Sequence, residues 1–181
     1  NVVDIVRIVT HVLGGDQLGG VGGCEADING DGVINVVDIV QLVNIILSSR
    51  STGHTDATEA NVSIDNNQVV IESNGYIGGI DMIVAFSGTD LVLEFGNNDV
   101  ADYVVNDDNT ARVIMASATG IKEAFTVKSG VITSIEDVTL VTSNGEGYAE
   151  LDNVGLESPS AFRVGTAYPN PFNPTTQLSL V

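Results

Sequence analysis

In the stretch Gly79-Ile80-Asp81-Met82-Ile83-Val84-Ala85-Phe86, every second side chain from Ile80 onward is large and apolar. A period of two places Ile80, Met82, Val84 and Phe86 on one face of an extended strand. Leu91, Leu93 and Phe95 repeat the pattern a few residues later, and Val62 with Ile64 precede it. Val69-Val70-Ile71 follows the turn residues Asp65-Asn66-Asn67. Further strand candidates cover residues 103–105, 112–116, 124–128, 131–135, 138–142 and 148–151. Turn signals separate them at Ser73-Asn74-Gly75, Gly96-Asn97-Asn98-Asp99, Asn106-Asp107-Asp108-Asn109 and Ser143-Asn144-Gly145. In such positions Asn, Asp and Gly supply turn geometry. Asp90 is read as a turn residue in the same way. Many short strands at this spacing predict a two-sheet antiparallel β-sandwich over residues 57–155. About ten segments exceed a minimal immunoglobulin sandwich, so a jelly roll is expected. Its predicted core holds Ile80, Met82, Val84, Phe86, Leu91, Leu93, Phe95, Phe125 and Val127.

The N-terminal part reads differently. Asp27-Ile28-Asn29-Gly30-Asp31-Gly32-Val33-Ile34-Asn35-Val36-Val37-Asp38 places side-chain oxygens at loop positions 1, 3, 5, 9 and 12. Gly32 falls at position 6, where the chain must turn sharply, and Val33 at position 7, where a backbone carbonyl suffices. Ca²⁺ is a hard cation that takes six to eight oxygens, and a loop so spaced can wrap one ion. Position 12 holds Asp38 in place of the longer bidentate Glu of an EF-hand. Ile39-Val40-Gln41-Leu42-Val43-Asn44-Ile45-Ile46-Leu47 follows at helical spacing, with Asn35 as the expected N-cap. Before the loop, Gly19-Gly20-Val21-Gly22-Gly23 predicts no helix, so the unit is read as loop–helix.

The unit is repeated. Asn1-Val2-Val3-Asp4-Ile5-Val6 is identical to Asn35-Val36-Val37-Asp38-Ile39-Val40, at an offset of 34 residues. Two tandem units of this kind, over residues 1–47, resemble a type I dockerin, the small calcium module that binds cohesin domains. The resemblance implies Ca²⁺ held by Asp27, Asn29, Asp31, the Val33 carbonyl, Asn35 and Asp38. It marks Asn1 and Asp4 as remnants of a first site. The positions after the ninth, which contact cohesin in that family, carry Val2-Val3 and Val36-Val37, an apolar surface suited to packing on another protein.

Residues 48–56, beginning Ser48-Ser49-Arg50-Ser51-Thr52-Gly53, read as a linker. Beyond it, the strand around Ile80 looks like an early cohesin strand. Ile121-Lys122-Glu123-Ala124-Phe125-Thr126-Val127-Lys128 and Val138-Thr139-Leu140 look like late ones. Residues 57–155 are thereby similar to a cohesin-like jelly roll.

Residues 156–181 form a Pro-rich tail that holds all four prolines. Its run Tyr168-Pro169-Asn170-Pro171-Phe172-Asn173-Pro174-Thr175-Thr176 resembles the opening of a type A C-terminal sorting domain of the bacterial type IX secretion system. That resemblance implies export across the outer membrane, with residues 177–181 as the first strand of such a domain.

Net charge is −18 and the pI about 4.1, which argues against nucleic acid and anionic membranes as partners. No apolar run reaches the roughly 20 residues needed to span a bilayer as a helix. Acidic composition with a calcium loop suits an extracellular or outer-surface location, where calcium is millimolar. Cys24, the single cysteine, is read as a small buried hydrophobe, with an intermolecular disulfide as the alternative. His11 and His54 stand apart from any nucleophile in sequence, and no catalytic constellation is recognised. A carbohydrate-binding module would need an aromatic platform, and the chain has no Trp.

The expected protein is non-catalytic and stabilised by Ca²⁺. Its partners are itself, in a head-to-tail surface filament, or a cohesin/dockerin-type protein. Either the helical module or residues 175–181 would contact the neighbouring copy. The alternative is a docking region at the C-terminal end of a larger secreted enzyme or adhesin, the natural chain starting further upstream.

Overall fold

The computed structural model describes residues 2–15, 17–47, 54–65, 67–143, 148–150 and 154–157. Asn1, Asp16, the linker residues 48–53 and the tail 158–181 with its sorting-domain resemblance lie outside the described residues.

Among the described residues, helices come first: α1 (Val2–Val12), α2 (Val21–Ala26) and α3 (Val36–Leu47). Strands follow. They are β1 (Ala60–Asp65), β2 (Gln68–Ser73), β3 (Gly79–Phe95), β4 (Val100–Val105), β5 (Thr110–Ala116), β6 (Glu123–Ser143), β7 (Tyr148–Glu150) and β8 (Val154–Glu157). Mainly β is therefore correct, but the strands form one sheet in the order β4-β5-β3-β6-β2-β1-β8, with β7 on β6.

One sheet does the work of two because β3 and β6 are long and bend. The segments predicted as separate strands around Ile80 and Leu91 are a single 17-residue strand. Those predicted at 124–128, 131–135 and 138–142 are a single 21-residue strand. Their ladder breaks register at four points, the largest between Ser87 and Val92. Such irregularities bend and twist a strand. Gly88 (φ 119°) lies at that break on β3, and Gly130 (φ 83°) lies opposite on β6. Both adopt backbone that other residues avoid. Asp90 consequently sits inside β3, in the displaced segment, and not in a turn between strands. The predicted all-antiparallel pairing fails where β8 pairs parallel to β1 and where Asp56 makes an isolated parallel bridge to Tyr76.

The curl wraps a core. Val62, Val69 and Ile71 from β1 and β2 share one apolar cluster with Ile80, Met82, Val84, Val113, Met115, Phe125 and Leu140. Eight of the nine predicted core residues are buried there, and Phe95 is half-buried against it. The turns at 73–75, 96–99 and 106–109 join the strands as expected. Asn67 (φ 70°) and Asn109 (φ 60°) take the left-handed conformation that Asn tolerates.

β5 is buried on both faces. Val113 and Met115 point into the sheet's core, while Ile114 and Ala116 belong to a second cluster made with the helices. Leu140 and Val141 divide in the same way on β6. The helical module therefore lies on the outer face of β5, β3 and β6, against the chain's own sheet.

Candidate functional site

The candidate calcium loop runs from the end of α2 to the start of α3. Helix α2 corrects the loop–helix reading: a short helix precedes the loop despite Gly22 and Gly23. Each glycine costs about 1 kcal/mol in a helix interior. Here the cost is offset by burial of Ala26 in the second core and by the Asp27 N–H bond to the Gly23 carbonyl. Cys24 lies on the outer side of α2 and is exposed, so the expectation of a buried thiol is wrong.

Within the loop every predicted side-chain ligand is turned onto the loop's own backbone. Asp27 Oδ1 accepts from Gly30 N–H at 2.8 Å and Asp31 N–H at 3.2 Å, and Oδ2 accepts from Gly32 N–H at 3.0 Å. Asn29 Oδ1 accepts from Asp31 N–H at 3.0 Å, and its Nδ2 donates to Asp31 Oδ2 at 2.7 Å. Asp31 Oδ1 accepts from Val33 N–H at 2.8 Å. Asn35 Oδ1 accepts from Val37 N–H at 2.7 Å, the expected N-cap. Gly30 (φ 73°) and Gly32 (φ 90°) supply the left-handed turns that close the ring.

Asp38 is the centre of this arrangement. It is fully buried. Its Oδ1 accepts from Ile28 N–H at 2.7 Å and Asn29 N–H at 3.3 Å, and its Oδ2 accepts from Asn35 N–H at 2.9 Å. One carboxylate thus fastens the loop's beginning to its end. Charge-assisted bonds to backbone N–H are among the stronger hydrogen bonds in proteins.

The donor types are those a hard cation takes: three carboxylates, two amide oxygens and a carbonyl. Asp27 Oδ1 and Asp38 Oδ1 each already accept two backbone N–H bonds, so the spare lone pairs of the carboxylates lie on Asp27 Oδ2, Asp38 Oδ2 and both oxygens of Asp31. Among the described residues no three His, Cys, Asp or Glu side chains gather as a metal cluster. The loop's own donors are carboxylates interleaved with Asn29 and Asn35. Of the remnant first site, Asp4 lies in the first turn of α1, and Asn1 is outside the described residues.

The loop is coupled to the sheet through α3. Val36, Ile39, Val40 and Val43 have at most 1% of their surface exposed. Fully burying an aliphatic side chain contributes roughly 1.5–3 kcal/mol, an upper figure because the unfolded chain is itself partly collapsed. The seat is made at Gly79, where an added Cβ would collide with Val40 and lie 3.2 Å from Val36 Cγ2. Val36 and Val37, expected on an apolar surface for another protein, are buried inside this chain, whereas Val3 is 62% exposed.

Helix α1 is tied down separately. Arg112 on β5 gives a two-pronged bond to Asp81 on β3, Nε to Oδ1 at 2.9 Å and Nη2 to Oδ2 at 2.6 Å. The hydrogen bond to Asp81 raises the Arg112 guanidinium above its ordinary value. Its remaining nitrogen, Nη1, donates to the Val12 carbonyl at the end of α1. A cation at that end also complements the helix dipole. The sequence reading missed this tie; Arg112, a lone charge in an apolar strand, was its one signal.

His11, His54, Tyr76 and Tyr103 have structural partners. His11 Nδ1 accepts from Leu18 N–H at 3.1 Å. The His54 ring stacks on Tyr76, with centroids 4.7 Å apart. Tyr76 is 8% exposed and donates from its hydroxyl to the Ser117 carbonyl. Tyr103 donates to the Leu91 carbonyl and packs near Phe95. Tyr76 and the exposed His54 ring stacked on it line a shallow polar cavity with Glu72, Asn74 and Lys122.

A groove of about 340 Å³ lies between the helices and β4, walled by Val6, Val9, Ile46, Leu47 and Val100 and rimmed by Asp99 and Asp102. Among the described residues no helix is long and apolar enough to cross a membrane.

No protein-family model matches the chain, and no curated protein matches it. Among solved structures, a non-cellulosomal cohesin from the hyperthermophilic archaeon Archaeoglobus fulgidus is similar at a TM-score of 0.39 and 16% identity. The match covers 54% of this chain and 84% of that one. At that level the likeness is one of outline and carries nothing further.

Proposed function

We propose that this chain is a non-catalytic, calcium-stabilised interaction protein of the extracellular space or bacterial outer surface, working as a structural subunit of a head-to-tail filament. The observation that supports it most is Asp38. A buried carboxylate closes the loop from Asp27 to Asp38 and at the same time lies in the first turn of a helix seated on the sheet. Ca²⁺ held by Asp27, Asn29, Asp31, Val33, Asn35 and Asp38 would draw the three carboxylates of one loop together, neutralise them and stiffen the whole helical layer. Millimolar calcium outside the cell matches low-affinity loops of this kind. The histidines and tyrosines described above serve packing and hydrogen bonding, which supports a binding role over a reaction.

Titration calorimetry with Ca²⁺ and scanning calorimetry with and without chelator test the reading. Calcium should bind with a dissociation constant of about 10⁻⁴–10⁻³ M and raise the melting temperature. No heat and no shift would remove calcium from the account. Electron microscopy of purified protein separates a filament subunit from a docking region of a larger secreted protein: filaments formed by this chain alone favour the first.

A further inference from the structure

Strand β4 ends the sheet: it pairs with β5 on one side, and among the described residues no strand pairs with it on the other. An end strand is a template for an added strand. In the middle of β4 the Tyr103 N–H donates to the exposed Asp102 Oδ1 at 2.8 Å, a bond that an added strand would displace. Beside this edge runs the apolar groove between β4 and helices α1 and α3. Val6 on its wall is 58% exposed. Ala101 and Tyr103 of β4 pack inward against the sheet's core, while Val100 packs toward the helices. A strand laid along β4 would therefore drop alternate side chains into the groove.

The occupant must be extended, apolar at alternate positions and free of negative charge, because Asp99 and Asp102 stand at the rim of a chain with net charge −18. One segment of this chain answers. All 24 Asp and Glu precede residue 158, so residues 158–181 carry no acid and a single cation, Arg163. Within them, Leu178 and Leu180 alternate with Gln177 and Ser179. From Glu157 to Thr175 the intervening chain spans at most roughly 60 Å, enough to reach a neighbouring molecule.

We propose that the β4 edge and its groove receive residues 175–181 of a second copy, as an added strand. The proposal rests on the interaction-protein reading above and names its contact. The donor and the acceptor are different surfaces, so each copy can give one strand and accept another, and the assembly need not close.

Two variants of the full chain test it. Val6→Glu places a charge in the groove at an exposed site, and its melting curve checks that the fold is kept. Leu178→Asp with Leu180→Asp spoils the donor. Light scattering should show that the unaltered chain self-associates and that each variant weakens association at least about tenfold. Mixing the two variants pairs an intact donor with an intact groove and should restore dimers without longer polymers. A monomeric unaltered chain, association indifferent to both changes, or a mixture that stays monomeric would each overturn the proposal. Calcium binding, measured separately, stands or falls independently.

Discussion

Arg112 Nη1 donates to the carbonyl oxygen of Val12 at 2.6 Å, joining residues 100 positions apart. The bond matters because the guanidinium is already fixed by its fork onto Asp81, which is 14% exposed. A held guanidinium loses little freedom in making a third bond. The end of α1 is thus pinned to the sheet by a group that the sheet itself positions.

Arg112→Ala should leave Asp81 and the Val12 carbonyl without this partner and cost about 1–3 kcal/mol in denaturant unfolding. Arg112→Lys should recover only part, since an ammonium cannot form the fork. A double-mutant cycle with Asp81→Ala should give a coupling energy clearly above zero. Additive effects would mean that the fork contributes nothing of its own.

Gly79 decides how closely α3 approaches. Gly79→Ala brings a methyl group into Val40, with Val36 and the Val141 Cβ also near. Overpacking of this kind costs roughly 1–3 kcal/mol. Val40→Ala in the same chain should recover part of the loss by making room. A thermal melt unchanged by Gly79→Ala alone would show that the helix can slide freely on the sheet.

Core substitutions check the register of β3. Phe86 and Leu93 are 7% and 8% exposed and lie on either side of the bend. Phe86→Ala should cost about 3–5 kcal/mol and Leu93→Ala about 2–5 kcal/mol. Unchanged stability in either would place that half of the strand in a different register.

The alternation around Ile80 made the sheet's inward face legible, because a period of two maps directly onto sides. The continuity of β3 through Ser87-Gly88-Thr89-Asp90 was not legible. Gly, Thr and Asp at that point mimic a turn, while the ladder bends and continues on the far side. The turn at Gly30 and Gly32 and the Asn35 cap of α3 could be read because their signals are local. The seat of α3 could not, since it joins Val36 and Val40 to a glycine about 40 residues away. Val113-Ile114-Met115-Ala116 carried a usable hint: a strand apolar on both sides is covered on both sides.

The proposed calcium loop yields a contrast between two of its carboxylates. Asp31 is exposed and accepts from Val33 N–H and Asn29 Nδ2 within the loop. Asp38 is fully buried and accepts from three backbone N–H groups at both ends of it. Asp31→Ala should therefore abolish calcium binding while changing little in chelator. Asp38→Asn should weaken calcium binding and also destabilise the chelated protein. Its amide keeps one acceptor oxygen, but its NH₂ group cannot accept from Asn35 N–H, at a cost of about 1–3 kcal/mol. In the unaltered protein, calcium at about 100 times its dissociation constant should add close to 2.7 kcal/mol. Asp31→Ala should lose that increment and keep the chelated melting point; Asp38→Asn should lose on both counts. Scanning calorimetry of the three proteins, each with calcium and with chelator, gives all six values. If Asp38→Asn matched the unaltered protein in chelator, the buried carboxylate would not be the fastening that joins loop to helix.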